Sequence, residues 1–190
     1  PSAVFYYEYV ARIDNIMIHT LKDFLPEDLS CRIRDILMGD SFPYFYRDGV
    51  SYEGDDNYCF GHTLFNDDDD YPDDCIINPD YSKLFNQLGI PLVSRISMSR
   101  LLRMKINCYP RQTKIIADRT FGGMHVDFER PHLVGIYSVN TNNGYTLFED
   151  GTECPSIANT MYVFDGSMSH CCVHQTDENI RVNINMDWED

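Results

Sequence analysis

Ile180-Arg181-Val182-Asn183-Ile184-Asn185-Met186-Asp187-Trp188 alternates apolar and polar residues without a break. Successive side chains of an extended chain point to opposite faces, so Val182, Ile184, Met186 and Trp188 share one face and Arg181, Asn183, Asn185 and Asp187 the other. Leu101 to Tyr109 repeats the pattern, with Leu102, Met104, Ile106 and Cys108 opposed to Arg103, Lys105, Asn107 and Tyr109. Laid in one sheet, the two strands offer an apolar face for helices to cover. Their polar faces must then be satisfied inside the molecule, because buried polar groups persist only when bonded. A metal and a charged small molecule would account for such an interior.

The surrounding chain reads as short strands separated by turns, the pattern of a sandwich or barrel. Strands are expected at Gly123–Phe128, His132–Asn140, Tyr145–Glu149, Thr160–Asp165 and Ser169–Gln175, with Thr152–Ile157 as an additional one. Asn142-Asn143-Gly144 is a hairpin turn, since Asn and Gly tolerate positive φ. Upstream, Pro26-Glu27-Asp28 opens a helix to about Met38. Asn78-Pro79 opens a second, carrying Tyr81, Leu84, Phe85 and Leu88 at helical spacing before Gly89 and Pro91 stop it. Strands are also expected at Val4–Val10, Phe42–Tyr46 and Tyr58–Phe65, the last two separated by the turn-rich 49–57. The expected fold is mainly β with flanking helices, a double-stranded β-helix (jelly roll) whose major sheet carries the N-terminal helices on its apolar face. One domain is expected over residues 1–190, with 1–98 as an N-terminal elaboration and 99–190 as the jelly-roll core.

Composition sets bounds on partners. A 43% hydrophobic and 13% aromatic content belongs to a globular, strand-rich chain. Thirty acidic against fifteen basic residues give a formal charge of −15, which disfavours duplex nucleic acid and anionic membranes as partners. The local exception is Arg111, Lys114 and Arg119, read either as a loop over a substrate or as a plain solvated loop. Seven cysteines without a Cys-x-x-Cys pair suggest neither a disulfide framework nor a zinc ribbon; free thiols in a reducing cytoplasm are the simpler expectation. Pro1 to Val10 lacks the pattern of a signal peptide, and no apolar run is long enough to span a bilayer. Six aspartates within Asn66–Asp74 lack the spaced ligands, central Gly and terminal Glu of a calcium loop and read as a solvated loop.

Gly122-Gly123-Met124-His125-Val126-Asp127-Phe128 supplies the metal chemistry. His125 and Asp127, two apart on an extended chain, point the same way; a hydrogen-bonded structural pair is the bland alternative. A second imidazole from a distant strand would complete a two-histidine, one-carboxylate set, which leaves one face of an octahedral Fe(II) open. His170 and His174 share strand parity and both qualify. The eleven-residue step from His170 to Arg181 suits a hairpin on which the two side chains converge, which favours His170. Arg181 can grip an acidic co-substrate as a planar fork. His62 and His132 read as structural, and Cys171 and Cys172 as packing thiols.

Four motifs carry a resemblance. Asn107-Cys108-Tyr109-Pro110, His125-Val126-Asp127, Ile136-Tyr137-Ser138-Val139-Asn140, and Tyr162-Val163-Phe164-Asp165-Gly166 leading to His170 and Arg181 together resemble the Fe(II)/2-oxoglutarate-dependent oxygenases, in their prolyl-4-hydroxylase-like branch. The likeness covers about Leu101 to Trp188, and the whole chain is similar to uncharacterised oxygenases of phage and marine microbes. It implies that His125, Asp127 and His170 ligate iron and are the catalytic centre. It further implies that Arg181 and Tyr109 bind 2-oxoglutarate, with Asn107 and Ser138 at the same end of the pocket. It implies a dioxygenase that hydroxylates an unactivated C–H bond with O2, releasing succinate and CO2, with ascorbate as an optional reductant. Peptidyl proline is then the first substrate to test, other peptides, proteins or small molecules remaining open. Ser138 departs from the family's frequent Tyr, and the segment between Tyr109 and His125 is longer. The rival readings are a noncatalytic jelly-roll binding module that holds a metal or ligand, and an oxidase of similar fold that ignores 2-oxoglutarate.

Overall fold

In the computed structural model the described residues are 18–49, 58–67, 84–114 and 123–190. The expected strand Val4–Val10, the start of the helix at Asn78-Pro79, residues 50–57, Arg119 and the aspartate run beyond Asp67 lie outside them.

Among the described residues ten strands form two antiparallel sheets. Seven of them, β1 (His19–Leu21), β2 (Phe45–Asp48), β3 (Tyr58–Asn66), β4 (Arg100–Pro110), β5 (Leu133–Ser138), β8 (Thr160–Asp165) and β10 (Ile180–Glu189), pair in the order β1-β8-β5-β10-β4-β3-β2. The smaller sheet holds β6 (Tyr145–Phe148), β7 (Glu153–Pro155) and β9 (His170–Val173) in the order β7-β6-β9. The large sheet and the small one bound the jelly roll expected from the alternation.

The two alternating strands are direct neighbours. β10 pairs with β4 along its length, setting Arg181 against Tyr109, Asn183 against Asn107, Asn185 against Lys105 and Asp187 against Arg103. Each polar rung therefore stacks on one face of the major sheet. On the other face Met104, Ile106, Val182, Ile184, Met186 and Trp188 are buried with Ile33 and Leu37 of α1 (Glu27–Leu37) and with Leu88 and Leu92 of two short helices, α2 (Phe85–Leu88) and α3 (Ile90–Val93). Each of these side chains contributes about 1.5–3 kcal/mol by leaving water. Trp188 packs against Gly135, where an added Cβ would come within 2.8 Å of the indole.

α1 is locked to the sheet by more than apolar contact. Ser30, on its buried side, meets the Tyr137 hydroxyl at 3.0 Å, and that hydroxyl also donates to Asn159 Oδ1 at 3.2 Å. Glu27 and Asp28 in the first turn and Arg34 in the last complement the helix dipole.

The second helix ends at Gly89 as expected, but Pro91 does not stop helix formation: α3 follows at once, with Pro91 in its first turn, where a missing amide costs nothing. Gly123–Phe128 is not a strand but a single β-bridge at His125, because no continuous partner edge runs beside it. β1, only three residues long, gave no alternation to detect and closes the edge beside β8. Six of the seven cysteines are described, and all six are free thiols. Among the described residues no helix is long and apolar enough to cross a membrane.

Candidate active site

The site begins at the bridge. His125 donates its amide to the His170 carbonyl and receives the His170 amide at its own, both at 3.0 Å. Side chains of residues directly opposed in this way lie on the same side, and the two imidazole centroids are 4.9 Å apart. Each ring is also oriented from behind. His125 Nδ1 lies 3.0 Å from the Gly123 carbonyl and His170 Nδ1 3.0 Å from the Met168 carbonyl. A carbonyl can only accept, so both Nδ1 atoms carry the proton and both Nε2 lone pairs are left for a ligand. Gly123 makes this possible with φ of 56°, a left-handed turn that brings its carbonyl under the ring.

Asp127 joins them. One ligand atom from each of His125, Asp127 and His170 lies within 4.8 Å of the others, a spacing that one metal ion can bridge. Asp127 Oδ2 is 3.5 Å from His170 Nε2 and is a buried oxygen without a hydrogen-bond partner. Such an orphan acceptor is costly unless a cation occupies the space in front of it. The donor set therefore fits Fe(II).

The charges behind the trio are arranged around Arg103. Its Nη2 donates to Asp127 Oδ1 at 2.5 Å and its Nε to Asp187 Oδ2 at 3.0 Å, while the guanidinium carbon sits 4.7 Å above the Phe128 ring. Burial alone would raise the Asp127 carboxyl; the charges of Arg103, His170 and His125 outweigh it and hold the group well below the usual carboxylate range. Asp187 has fewer cationic neighbours, and burial pushes it up to about 7 against the pull of Arg103. Burial likewise lowers His170, against the opposing pull of Asp127, which favours the neutral, metal-binding form.

A cavity of about 120 Å³ opens in front of the trio, walled by Arg103, Lys105, Asn107 and Tyr109 of β4, by Arg181, Asn183 and Asn185 of β10, and by Thr146, Cys171 and Cys172 of the small sheet. Roughly eight to twelve water-sized groups fit, the size of a small dicarboxylic acid. Arg181 lies two-percent exposed at its far end. Its Nε donates to Ser156 Oγ at 2.7 Å, Nη1 to Cys172 Sγ at 2.7 Å and Nη2 to Thr146 Oγ1 at 3.3 Å, and its guanidinium carbon is 5.4 Å from the Tyr109 ring centroid. All of these are neutral. Among the described residues no carboxylate pairs with Arg181, in contrast to Arg103, which has two.

The structure thus brings His125, Asp127, His170, Arg181, Tyr109 and Asn107 to one cavity. Tyr109 packs with Cys172 and Cys59 in a small buried cluster, and Asn107 donates to Asn183 Oδ1 at 3.1 Å. Ser138 is not among the wall residues: it lies buried on β5, level with Asn183, while Ile136 of the same strand lines the cavity. Tyr137 faces the opposite side, against α1. His174 packs on Tyr109 with ring centroids 5.1 Å apart, outside the trio, and His62 and His132 each bond a backbone carbonyl through Nδ1. Arg111 and Lys114 are exposed and off the cavity wall. Sequence reasoning missed Arg103, Asp187, Thr146 and Ser156. The polar-face parity of Arg103 and Asp187 was visible, but their pairing required the strand register.

No family model and no curated protein sequence matches the chain. Solved structures do. A prolyl hydroxylase from Trichoplax adhaerens, in complex with a hypoxia-inducible factor oxygen degradation domain peptide fragment, superposes with a TM-score of 0.58 at 12% identity, covering 91% of this chain and 83% of that one. A 2OG-Fe(II) oxygenase family oxidoreductase from Burkholderia pseudomallei gives 0.61 at 12% identity over 90% and 84%. A Pseudomonas putida prolyl-4-hydroxylase gives 0.52 at 13% identity over 92% and 93%. The fold is that of the Fe(II)/2-oxoglutarate oxygenases, in the form seen in the prolyl hydroxylases.

Proposed function

We propose that this protein is an Fe(II)- and 2-oxoglutarate-dependent dioxygenase that hydroxylates a C–H bond. His125, Asp127 and His170 hold the iron, and Arg181 and Tyr109 hold the distal carboxylate of 2-oxoglutarate. The observation that carries the reading is Arg181: a buried guanidinium surrounded by neutral groups calls for an anion, and the cavity between it and the metal trio has the volume of a short dicarboxylic acid.

When bound, the iron and the 2-oxo acid activate O2, one oxygen atom ending in succinate, with loss of CO2, and the other in the substrate hydroxyl. The chain's own part is geometric. The bridge between His125 and His170 fixes both imidazoles, Arg181 sets the direction in which the co-substrate lies, and burial excludes water from the wall behind it. The cavity is nearly filled by the co-substrate alone, so the oxidised group enters from the mouth beside Val126, the exposed residue between two of the ligands.

A peptidyl proline is the first substrate to test, since the Trichoplax neighbour is a prolyl hydroxylase with a peptide bound. The direct assay is O2 uptake and succinate formation by protein loaded with Fe(II), with and without 2-oxoglutarate. Uptake that requires 2-oxoglutarate and matches succinate supports the proposal; none would leave a noncatalytic binding module, and uptake indifferent to 2-oxoglutarate would leave an oxidase.

A further inference from the structure

Asp127 has two carboxylate oxygens, and the structure treats them differently. Oδ1 takes the 2.5 Å hydrogen bond from Arg103, while Oδ2 is turned towards His170 Nε2 and has no hydrogen-bond partner. Arg103 cannot drift from this position. Its Nε is bound to Asp187, whose side chain is fully buried directly across the β4–β10 ladder, and its flat face rests on the buried Phe128 ring.

We infer that Arg103, anchored by Asp187, is a positioning residue that restricts Asp127 to one coordinating oxygen. The inference rests on the metal reading of His125, Asp127 and His170. The coordination count shows why it matters. Three single-atom protein ligands on an octahedral ion leave three positions, two for a chelating 2-oxo acid and one for O2. A carboxylate that bound through both oxygens would occupy a fourth position and compete with the co-substrate. A lone carboxylate facing a cation is free to close onto it with both oxygens. Here Oδ1 is already engaged, in a charge-assisted bond from a planar fork whose Nε and Nη2 each meet a different carboxylate.

The test uses the whole chain without O2, so no turnover enters the readout. Cobalt(II) serves as the probe metal, because its visible absorption reports coordination number, and 2-oxoglutarate is titrated onto the cobalt-loaded protein. Two variants are compared with wild type: Arg103→Met, and Arg103→Met with Asp187→Asn, the second removing one of the two buried carboxylates that the first strands and leaving Asp127 to the probe metal. Both are expected to bind cobalt with an altered absorption spectrum and to lose roughly ten- to a hundredfold in affinity for 2-oxoglutarate, the range for a residue that orients a metal ligand. Arg103→Lys is expected to recover part of that loss. A folded variant with the wild-type spectrum and wild-type 2-oxoglutarate affinity overturns the inference and leaves the metal reading intact. Wild-type protein that binds no cobalt overturns the metal reading itself.

Discussion

His125 and His170, forty-five positions apart in the chain, are joined by a two-hydrogen-bond backbone bridge with both N–O distances at 3.0 Å. The two imidazoles are thus brought together by main chain rather than by the ion they would share. His125→Ala is therefore expected to lower metal affinity by more than about a hundredfold, beyond the effect of changing an orienting residue. It should shift stability by less than about 1 kcal/mol, since the bridge does not use the side chain. Metal titration and denaturant unfolding of the apo protein measure the two effects separately.

The two cavity arginines predict opposite responses. Arg181 faces neutral partners, so Arg181→Met strands no carboxylate and is expected to leave apo stability unchanged or improved. The same substitution is expected to raise the KM for 2-oxoglutarate by roughly thirtyfold or more, the scale of about 2 kcal/mol or above for losing a buried charged partner. Arg103→Met strands two buried carboxylates and is expected to lower stability by about 3–5 kcal/mol. Parallel urea titrations of the two variants decide between these signs.

Packing on the opposite face of the sheet is tight at Gly135. A Cβ there would meet Trp188 at 2.8 and 3.1 Å and Met161 Sδ at 3.2 Å. Gly135→Ala is expected to cost about 1–3 kcal/mol by overpacking, read from the denaturation midpoint, with metal affinity unchanged because the site lies across the sheet.

The pH dependence follows from His170. Burial lowers its pKa from the ordinary 6.5, so as pH falls the unfolded chain takes up the proton before the folded one. The stabilising difference is complete above about pH 6.5 and is lost as pH drops from there through the folded value. Asp127, held low by Arg103 and the histidines, adds a loss of the same sign in more acid solution. Asp187, raised by burial to about 7, acts in the opposite sense over the same range, so the prediction is made on the difference: from about pH 7.5 to about pH 5.5 the apo protein is expected to lose more stability, or gain less, than His170→Gln does.

Much of this architecture was legible in the sequence because it depends on period. The alternation of Ile180–Trp188 and Leu101–Tyr109 identifies which residues face the cavity without any knowledge of partners, and β4 and β10 carry that division into the structure. What depends on register was not legible. Arg103 meets Asp187 only because β10 lies beside β4 in one particular alignment, and Arg181 meets Thr146 and Ser156 from a different sheet and its loop. Ser138 was expected at the pocket from resemblance and pairs with the wall residue Asn183, but it is not itself among the wall residues. Pro91 was read as a stop, although the same ring suits the first turn of a new helix.

The central claim is that one ion sits among His125, Asp127 and His170 while a dicarboxylic acid stretches from it to Arg181. A crystal structure of the protein with Fe(II) and 2-oxoglutarate, grown without O2 and recorded at the iron absorption edge, tests both halves at once. The account predicts an anomalous peak bonded to both histidine Nε2 atoms and to Asp127 Oδ2, with the distal carboxylate of 2-oxoglutarate forked by Arg181. An iron peak elsewhere, or a 2-oxoglutarate that leaves Arg181 untouched, would contradict it.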